Sequence, residues 1–109
     1  MTVALLLALG CVTDPCRALC VDLAASVDGC LPGWGVAWPD VGAESRRAWR
    51  VSCQDAWATT RASMEVRQVP AAEDACTDAT AALESATCED VAAMLPEPPP
   101  IAAGDSGYP

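Results

Sequence analysis

Apolar residues recur at every third or fourth position along the middle of this chain and do not alternate with polar ones. The pattern therefore predicts helices and no strand. Thr13-Asp14-Pro15 reads as a helix start, with Asp14 as N-cap and Pro15 at the first helical position. Cys16, Cys20, Leu23 and Val27 then share one face, and Gly29 is placed to end this first helix as a C′ glycine. The stretch 30–42, CLPGWGVAWPDVG, is rich in Gly and Pro and reads as a loop. A second helix is expected at about 43–67. It has two apolar sides, one of Trp49, Cys53, Trp57, Thr60 and Met64, the other of Ala48, Val51, Ala58, Ala62 and Val66. Such a helix is expected to lie between neighbours. Pro70 opens a third helix at about 71–86, with Ala72, Cys76, Ala79, Leu83 and Ala86 inward. Thr87 and Asp90 form a variant capping box for a short fourth helix at 88–94. From Pro96 the sequence PEPPPIAAGDSGYP is Pro- and Gly-rich, and a disordered tail is expected at 96–109.

Composition makes the core of such a domain thin. Phe is absent, Ile occurs only at Ile101, and alanine dominates the apolar residues. Alanine buries little area, and burial is worth only roughly 25 cal/mol per Å². A domain built this way needs another stabiliser, and the seven cysteines offer one. Disulfides persist in oxidising compartments, which points to an exported protein. The expected fold is all-α: a small disulfide-stapled bundle of three main helices plus a short fourth, at residues 14–95. Lys, Asn and Phe are missing, as expected of a GC-rich bacterial genome.

Seven cysteines cannot all pair, and the odd one lies at the start of the chain. Val3 to Leu9 is a seven-residue apolar run, far short of the roughly 20 residues that a transmembrane helix needs. It ends in Ala8-Leu9-Gly10-Cys11. This segment resembles the lipobox of bacterial lipoproteins, in which a small residue precedes the lipidated Cys. The resemblance implies that 1–10 is a signal peptide, that Cys11 carries acyl chains, and that 11–13 is the lipidated N-terminus. Two or three acyl chains anchor a protein stably. Val12 follows the Cys, and in this family that position implies outer-membrane sorting, with the domain facing the periplasm or the cell surface. Plain secretion is the alternative. The segment DACTDATAALESATCEDV is similar to the Cys-helix-Cys ending of small lipoproteins from high-GC Gram-negative bacteria, which brings no activity with it.

Setting Cys11 aside leaves Cys16, Cys20, Cys30, Cys53, Cys76 and Cys88. Helix rise would hold Cys16 and Cys30 roughly 20 Å apart and Cys20 and Cys30 roughly 15 Å apart, with Cys76 and Cys88 similarly separated. A disulfide needs Cα atoms within about 7 Å. With an in-helix Cys16–Cys20 bond set aside, each of the first three cysteines must bond one of the last three. Of the pairings that remain, we prefer Cys20–Cys53, Cys16–Cys76 and Cys30–Cys88.

Other chemistry is sparse. There is no histidine, no paired C-x2-C and no C-x-x-C redox motif, so no metal, no cofactor and no thiol chemistry is expected. With neither His nor Lys, the usual general bases and amine nucleophiles are missing, and no catalytic residue is assigned. The formal charge of −9 argues against a nucleic-acid partner. Trp34 and Trp38 either fold over the helices or form a partner-binding patch. Trp49 and Trp57 flank Cys53 and read as core. Arg46, Arg47, Arg50, Arg61 and Arg67 cluster on the second helix, and the acids Glu73, Asp74, Asp78, Glu84, Glu89 and Asp90 follow it. Intramolecular pairing is the expectation, with Arg46, Arg47 and Arg50 as the candidate anion-binding group. The reading is of a non-enzymatic, lipid-anchored envelope protein with a structural or partner-binding role. Its partners would be membrane lipid, through acylated Cys11, and an envelope protein. The alternative is a small carrier of an apolar ligand between the helices; a carboxylate hydrolase is the third and weakest.

Overall fold

The computed structural model describes residues 14–96. Its elements are four α-helices: α1 (Pro15–Trp34), α2 (Arg46–Ser63), α3 (Val69–Leu83) and α4 (Cys88–Met94). Short 3₁₀ turns lie at Trp38–Val41 and Val66–Gln68. The chain is all-α among the described residues, as its periodicity predicts. The expected signal peptide at 1–10, the lipidated N-terminus at 11–13 and the tail beyond Pro96 lie outside the described residues.

The helix α1 is the hub of the molecule, and α2, α3 and α4 each pack against it. Its buried residues are Cys16, Cys20, Leu23, Ala24, Val27, Cys30 and Leu31, a single stripe at helical spacing. Three disulfides fasten the other helices to that stripe: Cys16–Cys76 to α3, Cys20–Cys53 to α2 and Cys30–Cys88 to α4, with Cα–Cα distances of 5.0, 5.8 and 5.6 Å. This is the pairing preferred among the six that the helix spacing leaves open. Along α2, Arg46 meets Asp28, Cys53 meets Cys20 and Trp57 meets Asp14, so α2 runs antiparallel to α1. Along α3, Cys76 meets Cys16 and Leu83 meets the apolar cluster at the second half of α1, so α3 runs parallel to it. The apolar cluster gathers around the second half of α1, where Leu23, Val27, Cys30 and Leu31 meet Val91 and Leu95. Trp34, Val36, Trp38, Val41, Trp49 and Leu83 pack against it, half-buried.

The first helix is longer than its glycine suggests. Gly29 does not end α1, which continues through Pro32 to Trp34 and stops at Gly35. Gly35 has φ 72°, and its N–H donates to the Leu31 and Pro32 carbonyls. A glycine inside a helix costs about 1 kcal/mol relative to alanine. Continuing the helix keeps Cys30 and Leu31 on the buried stripe, and burying a leucine is worth about 1.5–3 kcal/mol. Burial outweighs the local stop signal. The segment 30–34 is therefore helix rather than loop.

The second helix is shorter than expected, Arg46–Ser63 in place of 43–67. Ser45 caps its start by accepting from the Ala48 N–H, and Met64 leaves it in extended conformation. Its second apolar side has no neighbour. Val51 is 40% exposed and Val66 88%, and Ala58 and Ala62 are also exposed. The helix lies against α1 and gives Trp49 to the apolar cluster, which leaves its opposite side in the open. The third helix takes Pro70 into its first turn and ends at Leu83, with Ala72, Cys76, Ala79 and Leu83 half-buried as the stripe predicts. At α4 the expected capping box is present. The Thr87 side chain accepts from the Asp90 N–H at 3.1 Å, and the Asp90 carboxylate accepts from the Thr87 N–H at 3.0 Å. No helix among the described residues is long and apolar enough to cross a membrane.

Candidate functional site

The most connected polar group among the described residues is at the start of α1. Asp14 caps the helix by accepting from the N–H groups of Cys16 at 3.0 Å and Arg17 at 3.2 Å. The antiparallel course of α2 brings Trp57 over the same carboxylate, and its indole N–H donates to Oδ2 at 3.0 Å and Oδ1 at 3.2 Å. One turn further along α2, the Arg61 guanidinium lies 3.8 Å from Oδ2. Burial pushes the Asp14 carboxyl up, but the Trp57 indole, the Arg17 and Cys16 N–H groups and the Arg61 charge together outweigh it. The carboxyl is held below its ordinary range. Gln54 adds a tie between the two helices, donating to the Arg17 carbonyl at 3.3 Å. Asp14, Arg17, Trp57, Ala58 and Arg61 line an open cleft of about 470 Å³ at this end. The helix-cap role of Asp14 is legible in the sequence. Its engagement by Trp57 is not, because those residues meet only through the packing of α2 on α1.

A second cleft, of about 390 Å³, lies beside the apolar cluster. Leu23, Val41, Trp49, Ala56, Met94 and Pro96 are among its lining. Its lining is largely apolar, and it opens where α2, α4 and the 3₁₀ turn at Trp38–Val41 approach α1.

The other candidate residues are dispersed. Trp34 and Trp38 are half-buried against the apolar cluster. Trp38 leans on Trp49 with ring centroids 6.4 Å apart, and its indole N–H donates to Asp28 at 3.1 Å. Trp57 is half-buried, at the Asp14 end rather than within the apolar cluster. The arginines of α2 do not pair with the acids at 73–90. Arg46 lies 3.6 Å from Asp28 on α1, and Arg61 meets Asp14, while Arg67, beyond α2 in the 3₁₀ turn at Val66–Gln68, donates to its neighbour Glu65 at 3.1 Å. The physical reason is the layout: α2 faces α1, so Arg46 and Arg61 meet Asp28 within α1 and Asp14 at its cap. Of the candidate anion-binding group, Arg46 lies against Asp28, Arg50 has a buried Nε without a hydrogen-bond partner, and Arg47 borders a surface cleft with Val51 and Asp55. The buried residues include no charged side chain among those described, and no group of three or more His, Cys, Asp or Glu converges there as a metal would require. Comparison of the chain with protein-family models, curated proteins and solved structures finds no match.

Proposed function

We propose that this chain is a lipid-anchored envelope protein whose disulfide-braced helical domain has a non-enzymatic structural or partner-binding role. The supporting observation is the cysteine pairing. Cys16, Cys20, Cys30, Cys53, Cys76 and Cys88 bond one another, which leaves Cys11, within Ala8-Leu9-Gly10-Cys11, as the odd one of seven. Six structural disulfide cysteines fit an oxidising compartment, and a leftover cysteine in an exported protein calls for a separate role. Acylation of Cys11 supplies that role and fits the lipobox-like sequence around it. In a bacterial host that processes lipoproteins, labelled palmitate should enter the protein, and Cys11→Ser should abolish the label. Label that persists in the variant, or its absence from the parent, overturns the anchor.

A second reading, a carrier of a small apolar ligand, draws support from the cleft beside Trp49 and Met94. An apolar probe such as a fluorescent fatty acid should then bind at one site and quench Trp49. Unchanged tryptophan emission on titration would remove this reading.

A further inference from the structure

The short distance from Cys11 to the start of α1 has a consequence for the end of the molecule around it. Asp14 is three residues beyond Cys11, so the connecting chain spans at most about 11 Å. Trp57 of α2 is level with Asp14, since its indole bonds that carboxylate. From there α2 continues to Ser63, a further rise of about 9 Å. On the other side, Cys76 of α3 is level with Cys16, and α3 begins at Val69, about 10 Å before it. Both helices therefore overhang the start of α1 by nearly the full reach of the tether. The corner joining them, Met64 to Gln68, forms the tip of that overhang.

That corner has the composition of a surface meeting lipid headgroups. Val66 at its centre is 88% exposed, the most exposed large apolar side chain among the described residues. It sits in a 3₁₀ turn tied by reciprocal bonds, the Glu65 N–H donating to the Gln68 side chain at 3.0 Å and the Gln68 N–H to the Glu65 carbonyl at 2.8 Å. Arg67 adjoins it in the chain and Arg61 lies in the last turn of α2, and their charges are matched locally by Glu65 and Asp14. Those four side chains sum to zero, so the formal charge of −9 resides on the rest of the chain. The next acids, Glu73 and Asp74, are set back along α3. An apolar tip beside arginines whose stems can lie along the interface suits a bilayer surface.

We propose that the α2–α3 corner, Met64 to Gln68 with Val66 at its tip, is a membrane-contact surface seated in the headgroup layer of the bilayer that anchors Cys11. The proposal rests on acylation of Cys11. The test is amide hydrogen exchange on the full-length acylated protein in vesicles of phosphatidylethanolamine and phosphatidylglycerol, compared with the Cys11→Ser protein mixed with the same vesicles. Exchange over 62–69 should slow by about tenfold on anchoring, while 36–43 at the opposite end of α1 should not change. Val66→Asp with Arg67→Glu should remain acylated and lose the protection. A parent that carries palmitate yet shows no protection at 62–69 overturns the corner and leaves the anchor standing. Protection that survives the double substitution also overturns it. A parent without palmitate overturns the anchor first.

Discussion

Asp14 collects two backbone N–H groups, an indole N–H and a nearby guanidinium on one carboxylate. Loss of a capping side chain costs about 0.5–2 kcal/mol, and here the same change also strands the Trp57 indole. Asp14→Ala should lower stability by about 1–2 kcal/mol, with thermal unfolding falling by about 4–8 °C for each kcal/mol. The charge itself is separable from the cap, because asparagine caps nearly as well as aspartate. The folded carboxyl lies below its ordinary pKa, so the charge stabilises the fold above the ordinary carboxylate range. That contribution is lost as the pH falls through the folded value. The stability gap between the parent and Asp14→Asn should be flat above about pH 5 and narrow below it. Chemical denaturation at a series of pH values measures this. A gap that instead widens as the pH falls from neutral would mean that burial has the upper hand and that the carboxyl is raised.

Among the elements, α1 holds the clearest conflict between a local signal and the packing. Gly29 lies in the helix interior with ordinary φ, and a Cβ built there meets nothing within 4 Å. Gly35 has φ 72° and closes the helix. Gly29→Ala should therefore stabilise the protein by about 0.5–1 kcal/mol, while Gly35→Ala should destabilise it by about 1–2 kcal/mol. Urea midpoints of the two variants against the parent decide the matter. A destabilising Gly29→Ala would place the end of the helix at Gly29 after all. The second helix teaches a different lesson. Its outer stripe of Ala48, Val51, Ala58 and Ala62 reads as a buried side, yet Val51, Ala58 and Ala62 are exposed. Alanine is both apolar and the best helix former, so a stripe of alanines marks helical propensity as readily as burial.

The molecule as a whole is held unevenly. Six residues form the buried apolar cluster, all around the second half of α1 and α4. At the other end, α2 and α3 are joined to α1 by Cys20–Cys53 and Cys16–Cys76, with the hydrogen bonds of Trp57 to Asp14 and Gln54 to Arg17 beside the first. The bridges span 60, 33 and 58 residues of sequence, and loops of that length constrain the unfolded chain by about 3–5 kcal/mol each in the chain-entropy picture. Native stability totals only about 5–15 kcal/mol. Reduction should accordingly melt the helical circular-dichroism signal at room temperature, and peptide mapping of the oxidised protein should recover the three pairs. Helical signal that persists unchanged in excess reductant would show that the apolar cluster suffices alone.

Much of this architecture is legible in the sequence because its signals are local. The 3.6-residue periodicity, Asp14-Pro15 at the start of α1, and Thr87 with Asp90 at α4 act within one or two turns, where neither cap depends on distant residues. The disulfide set is also constrained from sequence, since a helix holds its own cysteines apart whatever surrounds it. Tertiary structure decided the rest. Leu31 and Cys30 extended α1 through Gly29 because burial exceeds the local cost of a glycine. The antiparallel course of α2 delivered Trp57 and Arg61 to Asp14 and set Arg46 against Asp28 instead of the acids that follow it. It also left the outer side of α2 and the tip at Val66 in the open, because which face of a helix is covered depends on where its neighbours lie, and no local spacing encodes that.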